Sequence, residues 1–270
     1  MSVIVYEYIY SNEKTRLHRF SRKIDMLLEK MTWEEIAEQI SRCTPLILPV
    51  GSIEQHGPHL PLATDLYSVL EISKLISDKI DLVIAPPLYY TYTKSMRSFV
   101  GTTSIEGNTL TLLIRDLIKE FLRQGFKKIL VLNGHYENTA FLEEGTYLAL
   151  EHCSKNDAKI VLTTWWDLIP EKALKEIFTD AWEGWSGVHA SFPETSLAMA
   201  LNPSIVRRDK ILDDKPEENK PYTVLPTPVK RIPKSGIFGK TINSSEIHGE
   251  RLKYEVLEQL TLLIEKEFND

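Results

Sequence analysis

The strongest constraint on this chain is the alternation of two hydrophobic rhythms. Short apolar runs, closed by glycine, proline or polar residues, stand at Pro45–Val50, Leu82–Ala85, Lys128–Leu132 and Lys159–Thr163. Between them, apolar residues recur at three- and four-residue spacing, as at Val69, Ile72, Leu75 and Ile76. Runs this short read as strands buried on both faces. The helical stretches supply the crossovers that parallel strand pairing requires. The pattern predicts an α/β fold with a mostly parallel sheet and helices on both faces.

Local signals set the expected boundaries. Thr32-Trp33-Glu34-Glu35 has the form of a capping box, so the first helix should follow Thr32 and reach about Arg42. A second helix is expected over 66–79, and a third is expected to be capped by Asn108 and closed by Gly125. A fourth should cover about 138–152, and a final amphipathic helix about 247–267. Pro203, Pro216, Pro221, Pro226, Pro228 and Pro233 break any long element near the C-terminus. The segment from about 203 to 245 therefore reads as an ordered excursion or a subunit-contacting arm on a single domain spanning 1–270.

Composition narrows the function classes. With 32 Lys+Arg against 38 Asp+Glu, the net charge is −6, which lacks the basic excess of a general nucleic-acid binder. No apolar run approaches the roughly 18 residues of a membrane-spanning helix. Cys43 and Cys153 allow at most one bridge, so a reducing cytoplasm is expected. No signal peptide is expected, since the N-terminal apolar patch has no basic leader before it.

Two segments carry metal-ligand residue types, and each follows a predicted strand. One is Gly51-Ser-Ile-Glu54-Gln-His56-Gly-Pro-His59, continuing to Asp65; the other is Asn133-Gly134-His135-Tyr136-Glu137-Asn138. Loops leaving the carboxyl ends of parallel strands line the ligand crevice of an open sheet. Glu54 and His56 are two residues apart, as are His135 and Glu137, and in extended backbone such pairs point to one side. Asp65 adds a fifth donor. Mixed imidazole and carboxylate donors suit Zn²⁺ or Mn²⁺. Three carboxylates around one dication leave a net negative site. Two dications leave a positive one that a shared hydroxide neutralises, with a bridging carboxylate holding them roughly 3.5–4 Å apart. Asp65 is the natural bridge, and metal-assisted hydrolysis of a polarised carbonyl is the predicted reaction class.

A third segment runs from Trp182 through Trp185 and His189 to Glu194. It reads equally as a packing motif and as an active-site flap with His189 as proton shuttle. Trp165 and Trp166 are placed to wall the same pocket or to fill the core. His59 reads as a loop-shaping or supporting residue. His18, His152 and His248 read as uninvolved in chemistry.

Taken together, LPVGSIEQHGPHLPLATD, GTTSIEGNTL, NGHYEN and HASFPETS resemble the creatininase (creatinine amidohydrolase) family from about Thr32 to the C-terminal helix. The resemblance implies a three-layer α/β/α sandwich, a binuclear Zn/Mn site, a homohexamer, and hydrolysis of amides other than ordinary peptide bonds. It implies one ion on Glu54, Asp65 and His135 and another on His56, Asp65 and Glu137. His189 would serve as acid/base, with Glu137 assisting and Glu194 supporting. Tyr136, Trp185, Trp166 and Ser98 would contact substrate, with Ser95 a rival to Ser98. Creatinine, ring-opened to creatine by a metal-bridging hydroxide, is the leading substrate. Departures lie in the substrate region, at Ser186, Val188 and the short loop KSMRSFVGTTS. The alternatives are a formamide hydrolase acting on a formamidopyrimidine ribonucleotide, cleavage of small modified peptides, and a non-catalytic metal-stabilised binding module.

Overall fold

The computed structural model describes residues 26–151, 157–179, 182, 184, 185, 188–214, 224 and 232–268. His18, His152, Cys153, Ser186 and the prolines at 216, 221, 226 and 228 lie outside the described residues.

The first helix, α1 (Trp33–Ser41), starts where the capping box places it. The Thr32 hydroxyl accepts from the Glu35 amide at 3.4 Å, and the Glu35 carboxylate accepts from the Thr32 amide at 2.7 Å. The chain continues as β1 (Leu46–Val50), α2 (Thr64–Ser77), β2 (Val83–Ile84), α3 (Gly107–Gln124), β3 (Lys128–Asn133), α4 (Thr139–Glu151), β4 (Lys159–Thr164), α5 (Glu171–Phe178), α6 (Phe192–Leu201) and α7 (Glu246–Phe268). The four strands pair in parallel in the order β2-β1-β3-β4.

Side chains alternate across this sheet and build a core on each face, which makes the three layers. Leu46, Leu48 and Val50 of β1, with Ile129 and Val131 of β3, pack against Ile114, Ile118 and Leu142 of α3 and α4. Ile47, Leu130 and Leu132 face the other way, toward Val69, Ile72 and Ile76 of α2 and Leu252, Val256 and Leu260 of α7. Both faces of each central strand are buried, which is why their sequences are apolar throughout.

Three boundaries differ from expectation. Helix α2 begins at Thr64, which puts Asp65 in its first turn. Helix α3 begins at Gly107 after Glu106, so Asn108 is not its cap; the Glu106 carboxylate is engaged by Lys94. Gly125 does close α3, in the left-handed conformation at φ 109°. The expected strand over 82–85 is reduced to Val83–Ile84 at the sheet edge.

The proline-rich excursion is partly described. It contains 3-10 turns at Pro203–Ile205 and Arg208–Lys210, and it returns so that Phe238 pairs with His189 through backbone bonds of 2.9 and 3.3 Å. The excursion thereby braces the His189 segment.

Candidate active site

The strand order makes the β1/β3 junction the switch point of the sheet: the chain leaves β1 to one side and β3 to the other. Ligands of open α/β sheets bind at that position, beyond the carboxyl ends of the strands. Val50 and Asn133, the last residues of the two strands, are register partners. The Glu54–His59 loop and the Gly134–Asn138 loop therefore leave the sheet side by side. Gly134 lets the second loop press against α2: a Cβ there would lie 2.5 Å from the Asp65 carbonyl oxygen.

Glu54, His56, Asp65 and His135 converge here, each no more than 6% exposed. The Glu54, Asp65 and His135 donor atoms lie within 4.8 Å of one another; so do those of Glu54, His56 and His189, and those of His56, Asp65 and Glu194. His135 Nδ1 is 3.2 Å from Glu54 Oε2 and 3.1 Å from Asp65 Oδ2. His56 Nε2 is 2.9 Å from Asp65 Oδ1.

The outer nitrogens of these rings are occupied. His135 Nε2–H donates to the Tyr92 carbonyl at 3.1 Å, and His56 Nδ1–H donates to the Glu54 carbonyl at 3.0 Å. Such bonds fix a tautomer in which the inner nitrogen of a neutral ring carries a lone pair, as a metal ligand requires. A lone pair facing a carboxylate oxygen across about 3 Å repels it unless a proton or a cation lies between. The donor set therefore fits divalent ions. Hydroxyls hold the carboxylates in turn: Ser52 Oγ donates to Asp65 at 2.7 Å, and Thr93 Oγ1 donates to Glu54 at 2.9 Å.

Without a cation the groups balance one another by proton sharing. Burial alone would raise the Glu54 carboxyl, but His135 and His189 outweigh it and hold it down at about 2. Burial opposes Asp65 in the same way, and His56 and His135 keep it well below the usual carboxylate range. Burial would lower His56, yet Asp65 raises it to about 10; His135 stands well above its usual value against burial because of Glu54 and Asp65. Burial pushes the Glu194 carboxyl up, against the pull of His56 and His189.

The paired carboxylate and imidazole spacing places Glu137 differently from Glu54. The chain is extended at His135 and then turns into a 3-10 helix over Tyr136–Asn138, and both His135 and Glu137 line the same cavity. The Glu137 carboxylate lies 3.8 Å from His135 Nε2 and accepts from the Ser95 amide at 3.2 Å and hydroxyl at 3.0 Å. Beside His56 and Asp65 stands Glu194 instead.

A cavity of about 570 Å³ opens onto Glu54, Asp65, His135, Glu137 and Glu194, lined also by Ser95, Tyr136, Trp166, Asp167, Trp185 and His189. Ser95 faces it, whereas Ser98 is exposed and not part of its lining. Tyr136 stands at the mouth, 79% exposed. Trp165 is buried and meets Trp166 and Trp185 edge to face, so the tryptophans serve both core and wall. His189 Nε2–H donates to the Gln55 carbonyl at 2.7 Å, leaving Nδ1 3.8 Å from Glu54 Oε2. His248 packs between Phe178 and Phe192, away from the site. Tyr92, Ser52, Thr93 and Asp167 went unread in the sequence, because hydroxyls, carbonyls and single acids carry no spacing signal.

An open parallel sheet with buried imidazole and carboxylate donors at its switch point is the arrangement of a metal-dependent hydrolase built on an α/β scaffold. More narrowly, the family model "Creatininase: Creatinine amidohydrolase" matches residues 29–264, and the chain belongs to the creatininase family of amidohydrolases. It is 32% identical over 250 residues to the creatinine amidohydrolase of Pseudomonas putida, covering 88% of this chain and 96% of that protein. It is 28% identical over 233 residues to the mycofactocin precursor peptide peptidase of Mycolicibacterium smegmatis, covering 82% and 85%. A mutant creatininase complexed with creatine matches with a TM-score of 0.86 at 31% identity, covering 91% of this chain and 99% of that one. Similar solved structures include a manganese form and a Zn–Zn form of creatininase.

Proposed function

We propose that the protein is a binuclear metal-dependent hydrolase that opens a small cyclic amide, with creatinine converted to creatine as its first substrate. The observation that carries this reading is the orientation of His56 and His135: both outer nitrogens are spent on backbone carbonyls, and both inner nitrogens face the Asp65 carboxylate. Glu54, Asp65 and His135 would hold one ion, and His56, Asp65 and Glu137 the other. Glu137 is taken as the ligand from the family resemblance, and Glu194, which lies with His56 and Asp65, is its rival. Zn²⁺ and Mn²⁺ both suit this donor set. When bound, the ions supply carbonyl polarisation and an acidified water near neutral pH.

The chain's own residues do the rest. Hydrolysis adds the oxygen of water to the amide carbon, breaks the C–N bond and places a proton on the departing nitrogen. His189, tethered through Nε2 and open at Nδ1, would carry that proton, with Glu137 assisting. Trp166, Trp185 and Tyr136 would sandwich a flat ring and exclude water. No Lys or Arg lines the cavity among the described residues, which favours a neutral or cationic ring over a phosphorylated ribonucleotide. A homohexamer is proposed from the family resemblance, and a cytoplasmic location from the scarcity of cysteine. Among the described residues no helix is long and apolar enough to cross a membrane.

The test is metal-loaded enzyme assayed in parallel on creatinine, N-formylated pyrimidines and small cyclic amides. Creatinine turnover well above the others supports the reading. Background creatinine turnover beside clear formamide hydrolysis overturns it.

A further inference from the structure

His189 and Glu194 are separated by a turn whose backbone is held in an unfavourable shape. Ala190, fully buried, sits at φ 52°, in the left-handed region that a residue with a Cβ avoids. The surroundings pin both of its polar groups. Its amide donates to Glu194 Oε2, and its carbonyl is met by Thr195 Oγ1 at 3.4 Å and Thr241 Oγ1 at 3.5 Å. Thr195 is completely buried in the first turn of α6 and has a second partner, His59 Nε2 at 2.8 Å.

His59 belongs to the loop that carries Glu54 and His56, is fully buried, and meets Thr195 of α6. Burial pushes its imidazole down to about 4, so the ring is neutral. Its Nδ1 has no hydrogen-bond partner among the described residues. A buried N–H without an acceptor is rarer than a bare acceptor, so the proton sits on Nε2 and is donated to Thr195. The Thr195 hydroxyl is then free to donate to Ala190. The contacts run from the ligand loop through His59 to Thr195 and on to the Ala190 carbonyl, and His59 also interacts directly with the Ala190 backbone.

We propose that His59, acting through Thr195, is a positioning residue that locks the Ala190 turn and so sets His189 against Glu54 and the Gln55 carbonyl. What His189 does once placed rests on the proposed function above; the lock itself does not. Loss of the Thr195 hydroxyl should loosen the turn while leaving the ligand cluster in place.

The experiment compares Thr195→Val, Thr195→Ser, His59→Leu and the His59→Leu/Thr195→Val pair in metal-loaded protein. Hydrogen–deuterium exchange of the segment containing 188–191 is read alongside metal content, kcat and KM. Thr195→Val should speed exchange there by about tenfold or more, leave β1 and β3 unchanged, and lower kcat by roughly tenfold to a hundredfold with KM and metal content preserved. Thr195→Ser should restore both readouts. His59→Leu should reproduce Thr195→Val, and the pair should add nothing further, as members of one chain of contacts do. Unchanged exchange in Thr195→Val, failure of Thr195→Ser to rescue, or multiplying effects in the pair would each overturn the proposal. Wild-type protein with no amide hydrolysis would sink the proposed function alone, because the exchange rates still decide the lock.

Discussion

Replacing Gly134 with alanine tests how tightly the fold and the ligand cluster are joined. A Cβ at this position would lie 2.5 Å from the Asp65 carbonyl oxygen and 2.9 Å from Val69 Cγ1. Ordinary contact begins near 3.4 Å, so about 0.9 Å must be found between β3 and the first turn of α2. The nearer atom is backbone, so a rotamer change cannot supply that distance. Asp65 and His135 flank the contact, and metal–ligand distances tolerate only about ±0.2 Å. Overpacking of this kind costs about 1–3 kcal/mol. For a chain of this size that corresponds to a melting point lowered by between about 2 and 12 °C. The larger effect should fall on metal: affinity weakened about tenfold to a hundredfold, the scale seen when outer supports of a site are removed. Thermal unfolding in chelator and in excess Zn²⁺, with chelator competition for affinity, reads both effects. A Gly134→Ala protein that melts within a degree of wild type and binds metal equally well would refute the reasoning.

Other substitutions separate the roles of the donors. Asp65→Asn removes the carboxylate common to both proposed ion sites and should lose both ions, as counted by elemental analysis. Glu137→Gln should lose one ion and Glu194→Gln none; the opposite pattern would make Glu194 the ligand. His189→Ala should retain two ions per chain and lose about 10²–10⁴ in kcat, the usual contribution of a positioned acid–base group. Equal kcat in that variant would remove His189 from the chemistry.

The sheet was legible because its central strands are buried on both faces and so read as unbroken apolar runs. Gly51 and Gly134 mark where those strands release the ligand loops. Thr32 and Gly125 punctuate helices through local chemistry alone, and both behave as their residue types dictate. Asp65 was recognisable as a donor but not as a helical residue, since Thr64 and Asp65 precede the apolar period of α2. His135 and Glu137 do face one cavity, but the backbone coils immediately after His135, so the extended-strand spacing is not what brings them together. Ser95 and Ser98 stand three apart on a short loop, and only the folded backbone separates the one that reaches Glu137 from the one that is exposed. The supporting contacts of Tyr92, Ser52, Thr93 and Thr195 come from residues distant in sequence or too common to signal anything.

Metal dependence is the property on which the proposed hydrolysis turns. Protein purified without added chelator, then stripped and reloaded, should hold two divalent ions per chain by elemental analysis. Its creatinine ring-opening should vanish on stripping and return with Zn²⁺ or Mn²⁺. Full activity in protein shown to be free of metal would contradict the account at its centre.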